Sequence, residues 1–188
     1  MNITPEIRDA WLSLGYDAGS LTRRALLVEK TTSFEPESIL DVGCGTGSDM
    51  ALHKILSPSV EMSGIDRDAH ELEKAQKTLS QLPQASMKLY QSDYAILKDP
   101  WMFPDGSFDV VYSNAALMYA HDPKKVLDQM YRISKKAVVL MELMTNPIQQ
   151  ALEDYQFARQ VVPEWDIDIV WRNFGYLIWL EKNQTKSP

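Results

Sequence analysis

The chain has 188 residues, 45% of them hydrophobic and 24% charged, proportions that are ordinary for a globular domain with a substantial core. Its formal net charge is −7 and its basic residues form isolated pairs, so a nucleic-acid partner is not expected. Cys44 is the single cysteine, which excludes an intrachain disulfide and a thiolate metal cluster, and we expect no metal. The sequence shows neither a secretory signal pattern nor an apolar run of the ~18 residues a membrane span needs. We therefore predict a cytoplasmic protein without a membrane partner.

Strand-like and helix-like patterns alternate along the chain. Short apolar runs predict buried strands at 38–42, 60–66, 86–93, 108–114 and 136–143, and amphipathic helices lie between most of them. Asp68 and Pro123 are typical of helix starts. The stretch 167–182 predicts two antiparallel strands around a tight turn. This order predicts an α/β fold with a doubly wound, mostly parallel sheet, preceded by a helical region over residues 1–34.

The segment ILDVGCGTGSD, residues 39–49, places three glycines directly after the first predicted strand. Gly43, Gly45 and Gly47 remove Cβ atoms at the strand ends where open α/β sheets bind ligands, so a ligand could contact bare backbone there. The helix that follows offers free N–H groups to an anion. The alternative is a glycine-rich turn that serves only close packing.

A dinucleotide fingerprint fits this loop poorly. Its third glycine would fall on Ser48, and Asp41 stands two residues before Gly43, where a carboxylate would repel a pyrophosphate. A carboxylate at that position favours a ligand that carries an amine or a sulfonium. The loop therefore predicts a small cationic ligand rather than a nicotinamide dinucleotide.

Two further carboxylates end the second and third predicted strands. Asp66 can accept hydrogen bonds from both hydroxyls of a ribose, and Asp93 would lie near an adenine edge. For each of them alone, capping of a helix is the alternative explanation. Three carboxylates at the ends of consecutive strands favour one shared ligand site.

These motifs resemble those of the class I S-adenosylmethionine-dependent methyltransferases, in particular the small-molecule type. ILDVGCGTGSD is similar to the first family motif, GIDRDAHELEKAQ to the acidic-loop motif, and LYQSDYAIL and MFPDGSFDVVYSNAALMYAHDP to the segments around the third and fourth strands. The resemblance covers residues 38 to about 144 closely. It implies a Rossmann-like, seven-stranded sheet whose last strand is antiparallel and inserted beside the fifth. One domain is expected, with a helical lid (1–34), a core (35–182) and a flexible tail (183–188).

The resemblance also implies roles for individual residues. Asp66 would hold the ribose of S-adenosylmethionine, Arg67 would lie beside the adenine, and Tyr16 would close over the cofactor from the helical region. The other cofactor-binding residues expected from the motifs are, around the methionine part, Asp41, Gly43, Cys44, Gly45 and Gly47, at the adenine edge, Ser92, Asp93 and Tyr94, and beneath the sulfonium, Asn114 and Ala115.

Catalytic candidates follow the fourth strand, in NAALMYAHDP. Tyr119 takes a position where many relatives carry a histidine, and His121 follows two residues later, so either could orient or deprotonate an acceptor. The alternative for His121 is an exposed loop residue, and we expect His53 and His70 on the surface of their helices. Cys44 lies inside the motif without an evident histidine partner, so a nucleophilic role is not expected.

The predicted function is methyl transfer from S-adenosylmethionine to a small-molecule acceptor by in-line displacement, with S-adenosylhomocysteine as product. The aromatic residues of the helical region and of the 145–165 segment, among them Trp11, Tyr155, Phe157 and Trp165, favour an apolar or aromatic acceptor. The alternative is a methyltransferase-like protein that binds S-adenosylmethionine without catalysis and acts as a partner of another protein. The sequence leaves the acceptor and the oligomeric state open.

Overall fold

The computed structural model describes residues 3–82, 87–93, 101–162 and 175–182. Helices in this part of the chain are α1 (Pro5–Ser13), α2 (Leu21–Thr32), α3 (Ser48–Leu56), α4 (Ala69–Leu79), α5 (Pro123–Ile133) and α6 (Asn146–Leu152). The strands are β1 (Ser38–Val42), β2 (Glu61–Asp66), β3 (Met87–Gln91), β4 (Phe108–Asn114), β5 (Ser134–Leu143), β6 (Ala158–Val161) and β7 (Gly175–Glu181). None of the helices described is both long enough and apolar enough to cross a bilayer.

The strands form one seven-stranded sheet in the order β3-β2-β1-β4-β5-β7-β6. The pairings from β3 to β5 are parallel, and β7 is antiparallel to both β5 and β6. The strand order reverses between β2 and β4 on either side of β1, which is the switch point where open α/β sheets bind their ligands. The predicted seven-stranded, mostly parallel sheet with an antiparallel C-terminal strand beside the fifth is therefore confirmed.

Apolar side chains cover both faces of the sheet, as a parallel sheet requires. β1 and β4 are almost continuously buried. The apolar stripe of α5 packs against β4 and β5 through Val126, Met130 and Ile133. Helix starts follow the sequence signals, because Asp68 accepts from the backbone N–H groups of the first turn of α4 and Pro123 opens α5.

The closing hairpin differs from the prediction in its first strand. β7 lies within the predicted stretch 167–182, but its partner β6 lies upstream, at Ala158–Val161. All four residues of β6 are exposed, so the strand lacks the apolar pattern that would have predicted it. The expected tight turn near residue 173, Trp165 and the tail 183–188 lie outside the described residues.

The helical region 1–34 forms two helices that pack against α3. Trp11, fully buried, joins Leu21, Ala25 and Val28 in a cluster around Leu52 of α3. Its indole Nε1 donates to the carbonyl oxygen of Asp17 at 2.7 Å. α3 is therefore covered on its outer side, and residues 48–54 of that helix are all buried.

His53 is fully buried, so its predicted surface position was wrong. Its Nδ1–H donates to the carbonyl oxygen of Asp49 at 2.9 Å, and Nε2 lies 2.6 Å from the hydroxyl of Thr31 on α2. The ring also stacks on Tyr112 of β4, with ring centroids 5.1 Å apart. Burial lowers the pKa of His53 to about 4, so the imidazole is neutral in the folded protein near neutral pH.

This burial makes stability depend on pH. Between pH 6.5 and about 4 the unfolded chain binds a proton at His53 while the folded protein does not, so stability falls as the pH falls through that window. The loss should amount to about 3 kcal/mol. Chemical denaturation at several pH values should therefore show a steeper loss for the wild type than for His53→Gln. Equal pH slopes for the two proteins would contradict the assignment.

Candidate functional site

The glycine loop between β1 and α3 is held against β2 by backbone hydrogen bonds. The N–H groups of Gly43 and Cys44 both donate to the carbonyl oxygen of Ile65, at 2.8 and 3.2 Å. Gly43, Gly45 and Gly47 have φ values of 78°, 50° and 76°, a region that residues with a Cβ rarely adopt. All three glycines are therefore required by the conformation of the loop.

Gly45 and Gly47 differ in the space that a side chain would have. A Cβ on Gly47 would lie 3.0 Å from Leu79 Cδ1, so Gly47 serves the close packing of the loop on α4. A Cβ on Gly45 would meet nothing within 4 Å. The packing explanation thus accounts for Gly47, while Gly45 leaves open space beside bare backbone.

Asp66, at the end of β2, contacts this loop directly. Its Oδ2 accepts from the backbone N–H of Gly45 at 2.8 Å, and Oδ1 accepts from the N–H of Asp68 at 2.9 Å. The N–H of Ser92 donates to the Asp66 carbonyl oxygen at 2.9 Å, which brings the end of β3 to the same place. The carboxylate is 8% exposed, and each of its oxygens retains a lone pair for a further donor.

Two further carboxylates, Asp41 and Asp49, lie beneath the loop. Asp41 on β1 is 1% exposed, and the hydroxyl of Tyr112 donates to its Oδ2 at 2.7 Å. Asp49, in the first turn of α3, accepts through Oδ2 from Arg24 of α2 at 2.6 Å and from Asn114 Nδ2 at 2.9 Å. Asp49 therefore links the helical region, the glycine loop and the end of β4.

Two of these carboxylate oxygens have no partner. Oδ1 of Asp41 and Oδ1 of Asp49 are buried and make no hydrogen bond within the described chain. A buried acceptor without a donor costs free energy, and such an atom often marks the place of a ligand. Asp41 lies beside Tyr112, its register partner on β4, and is buried rather than exposed to solvent.

Tyr16 reaches the glycine loop from the segment between α1 and α2. Its hydroxyl donates to the carbonyl oxygen of Thr46 at 3.0 Å, and its ring stacks on Trp11 with centroids 4.5 Å apart. Burial raises the pKa of Tyr16 to about 12, so the hydroxyl keeps the proton that it donates. Burial likewise raises the pKa of the Cys44 thiol, which makes it a poor nucleophile.

The loop after β4 is fixed from below by Glu142 of β5. This fully buried carboxylate accepts through Oε1 from the Ser113 hydroxyl at 2.9 Å and from the backbone N–H groups of Ala116 and Leu117 at 2.9 and 3.0 Å. Ala115 adopts a left-handed φ of 54°, and its N–H donates to the carbonyl oxygen of the β5 residue Met141. Burial raises the pKa of Glu142, and these donors oppose the shift.

The catalytic candidates lie further along this loop. Tyr119, 64% exposed, ends a single 3-10 turn over Leu117–Tyr119, and His121 is exposed two residues later. His121 lines a cavity of about 470 Å³ between the start of α5 and α6. Its walls also include Asp122, Pro123, Lys124, Pro147 and Gln150.

The structure thus brings most of the predicted site residues to one end of the sheet. Of the remaining cofactor candidates, Arg67 and Asp93 are exposed beside the ends of β2 and β3, and Tyr94 lies outside the described residues. The roles assigned to these residues stay predictions. Among the described residues, no group of three or more His, Cys, Asp or Glu side chains is arranged to hold a metal ion.

Comparison with known proteins identifies the family. The family described as "Methyltransferase domain" matches residues 34–177. The chain belongs to this methyltransferase family. The resemblance to class I S-adenosylmethionine-dependent methyltransferases, inferred from the motifs, is thereby confirmed.

Two curated relatives and one solved structure illustrate the similarity of this methyltransferase to others. The trans-aconitate 2-methyltransferase of Deinococcus radiodurans is 33% identical over 54% of the chain, and the demethylmenaquinone methyltransferase of Thermotoga maritima is 29% identical over 71%. These alignments span only 35% and 54% of the relatives' own lengths. The plantazolicin methyltransferase BpumL shares the fold with a TM-score of 0.65 at 16% sequence identity. The match covers 96% of this chain and 91% of BpumL, which was crystallised with a desmethylplantazolicin analogue and S-adenosylhomocysteine.

Three residues of this candidate site were missed by sequence reasoning. Asp49 could have been found, because it is an acidic residue in the first turn of the helix that follows the glycine loop. Glu142 is a lone charge within the apolar run VVLMEL, which is itself a signal of a buried and hydrogen-bonded group. Arg24 carries no local signal, since its role depends on how α2 packs.

Glu142 should be required for the loop after β4. Glu142→Ala leaves three buried donors without an acceptor and should lower the free energy of unfolding by about 3 kcal/mol or more. Glu142→Gln keeps an oxygen at the position of Oε1 and should recover at least half of that loss. Denaturant titration of both variants measures the difference, and equal losses would refute the role of Oε1.

Proposed function

We propose that this protein transfers a methyl group from S-adenosylmethionine to a small-molecule acceptor. The open backbone at Gly45 is the observation that carries the proposal. Three carboxylates surround it, namely Asp41 on β1, Asp66 at the end of β2 and Asp49 in the first turn of α3. The family assignment makes S-adenosylmethionine the cofactor.

The residues present fit that cofactor. Asp66 lies at the end of β2 with acceptor capacity to spare for the two hydroxyls of a ribose. The two unpartnered carboxylate oxygens below the loop suit the positively charged methionine part. We propose that the backbone at Gly43 and Gly45 contacts the cofactor without side chains in between, and that Tyr16 covers it from the helical region.

S-adenosylmethionine supplies a methyl group that is already activated by its sulfonium, so the task of the protein is to hold an acceptor in line and to exclude water. We assign the holding to the loop after β4. Glu142 fixes the backbone of this loop, and Asn114 is fixed by Asp49. Tyr119 and His121 follow on the same loop and are proposed to orient the acceptor or to accept its proton.

The proposal also concerns the size and character of the acceptor, the partners of the protein and its location. The acceptors in the names of the two relatives, trans-aconitate and demethylmenaquinone, support an acceptor of small size. The predicted apolar or aromatic character of the acceptor has weaker support, because Trp11 is fully buried in the core and the Tyr155 hydroxyl is engaged by Asp128. The absence of nucleic-acid partners and the cytoplasmic location stay predictions from charge and from the single cysteine.

Binding of the cofactor is the first test. S-adenosylmethionine at 100 times its Kd should stabilise the fold by about 2.7 kcal/mol, and NAD should have no effect. Asp66→Ala removes a charged acceptor and should weaken cofactor binding by about 10- to 100-fold. Calorimetry measures both affinities, with the exposed neighbour Asp68→Asn as the matched control. Unchanged affinity in Asp66→Ala would refute the ribose assignment.

Methyl transfer is the second test. A screen of small carboxylates, phenols and amines with labelled S-adenosylmethionine should reveal at least one methylated acceptor. With that acceptor, His121→Asn or Tyr119→Phe should lower kcat by about 100-fold if the side chain takes a proton, with cofactor affinity unchanged. His70→Asn, at the exposed start of α4, is the control. Unaltered kcat in both loop variants would exclude these residues from catalysis.

A further inference from the structure

The two carboxylates beneath the glycine loop, Asp41 and Asp49, have few positively charged partners. Arg24 and Asn114 both donate to Oδ2 of Asp49, so that carboxylate has an ion-pair partner. Asp41 has one donor, the neutral hydroxyl of Tyr112. The Oδ1 atoms of both carboxylates are buried and lack a partner among the described residues. Among the described residues, Asp49 therefore has an ion-pair partner and Asp41 has none.

The groups that act electrostatically on Asp41 come from every element packed around it. They are Arg24 of α2, Cys44 of the glycine loop, Asp49 of α3, Asp66 of β2 and Tyr112 of β4. Arg24 favours a charged Asp41 but is already engaged by Asp49, while Asp49 and Asp66 oppose the charge. Burial is the largest effect, and together these groups raise the pKa of Asp41 well above its usual range.

A carboxylate so placed has two ways to avoid an uncompensated charge. It can bind a proton, or a cationic ligand can supply the missing positive charge. The unpartnered Oδ1 of Asp41 is the atom best placed to carry the proton, since Oδ2 accepts from Tyr112.

We propose that Asp41 binds one proton in the free protein and releases it to solvent when the ammonium group of the cofactor's methionine part occupies the site. The O–H bond of the carboxylic acid breaks, the proton passes to the buffer, and the ligand ammonium takes over its charge. This inference rests on the proposed cofactor but concerns only the exchange of charge on binding. It predicts that affinity for the cofactor rises with pH until Asp41 of the free protein loses its proton.

Three nucleosides separate the parts of the cofactor that could displace the proton. The three differ in their cationic groups. S-adenosylmethionine has an ammonium and a sulfonium, S-adenosylhomocysteine has the ammonium but no sulfonium, and 5′-methylthioadenosine has neither. Calorimetric enthalpies measured in buffers of different ionisation enthalpy give the number of protons released with each. The first two should release about one proton per bound ligand at a pH where Asp41 of the free protein is protonated, and the third should bind without proton release.

Two variants test which residues hold the proton. Asp41→Asn keeps an oxygen for Tyr112 but cannot ionise, so binding of S-adenosylhomocysteine should release no proton. Tyr112→Phe removes the one hydroxyl that favours the ionised form, so proton release should persist to a higher pH than in the wild type. The second variant is nearly isosteric, so the test stands even if Asp41→Asn folds poorly.

The outcomes are distinct. Binding of S-adenosylhomocysteine by the wild type without proton release at any pH from about 5 to 9 would overturn the inference and leave the proposed function intact. Equal proton release by the wild type and Asp41→Asn would overturn it as well. Release with S-adenosylmethionine alone would assign the displacement to the sulfonium and overturn the ammonium assignment. No heat with any of the three nucleosides would overturn the proposed function and this inference with it.

Discussion

The burial of negative charge at the ends of the parallel strands is the constraint on which this site depends. Asp41 and Asp66 come together because β1 pairs in parallel with β2, and Asp49 joins them from the first turn of α3. Asp66 is compensated by backbone N–H groups and Asp49 by an arginine and an amide. Among the described residues, Asp41 receives one donor, a tyrosine hydroxyl. The site is therefore arranged to gain a positive charge.

The helical region takes part in this arrangement through two contacts of different kinds. Arg24 pairs with a side chain of α3, while Tyr16 binds the carbonyl oxygen of Thr46 in the glycine loop. The first contact places positive charge beneath the loop, and the second fixes the backbone of the loop from outside. Both contacts require α1 and α2 to pack on α3 through Trp11. Packing of the N-terminal helices and the electrostatics of the site are therefore coupled.

The sheet could be predicted from the sequence because its signals are local. The bounds of β1 and β4 agree with the apolar runs at 38–42 and 108–114, since a strand buried on both faces has a nearly continuous apolar pattern. The glycine loop and Asp66 could be located because residues at the ends of parallel strands must lie close together. β6 could not be predicted, because its four residues are exposed and form an edge strand.

Interactions between distant segments could not be predicted in the same way. The polar character of His53 suggested a surface position, but α1 and α2 add a layer outside α3 and enclose it. Arg24 reaches Asp49 only after α2 packs on α3. The acidic Asp41 was recognised, yet its burial was not, because its neighbours Tyr112 and Arg24 come from distant parts of the chain.

The position of β7 between β5 and β6 has a consequence for the loop after β4. Glu142, which fixes this loop, lies opposite Tyr176 in the pairing of β5 with β7. Without β7, β5 would be an edge strand with unpaired backbone groups beside Glu142. A strand from the C-terminal part of the chain therefore encloses the carboxylate that holds a loop from the middle of the chain.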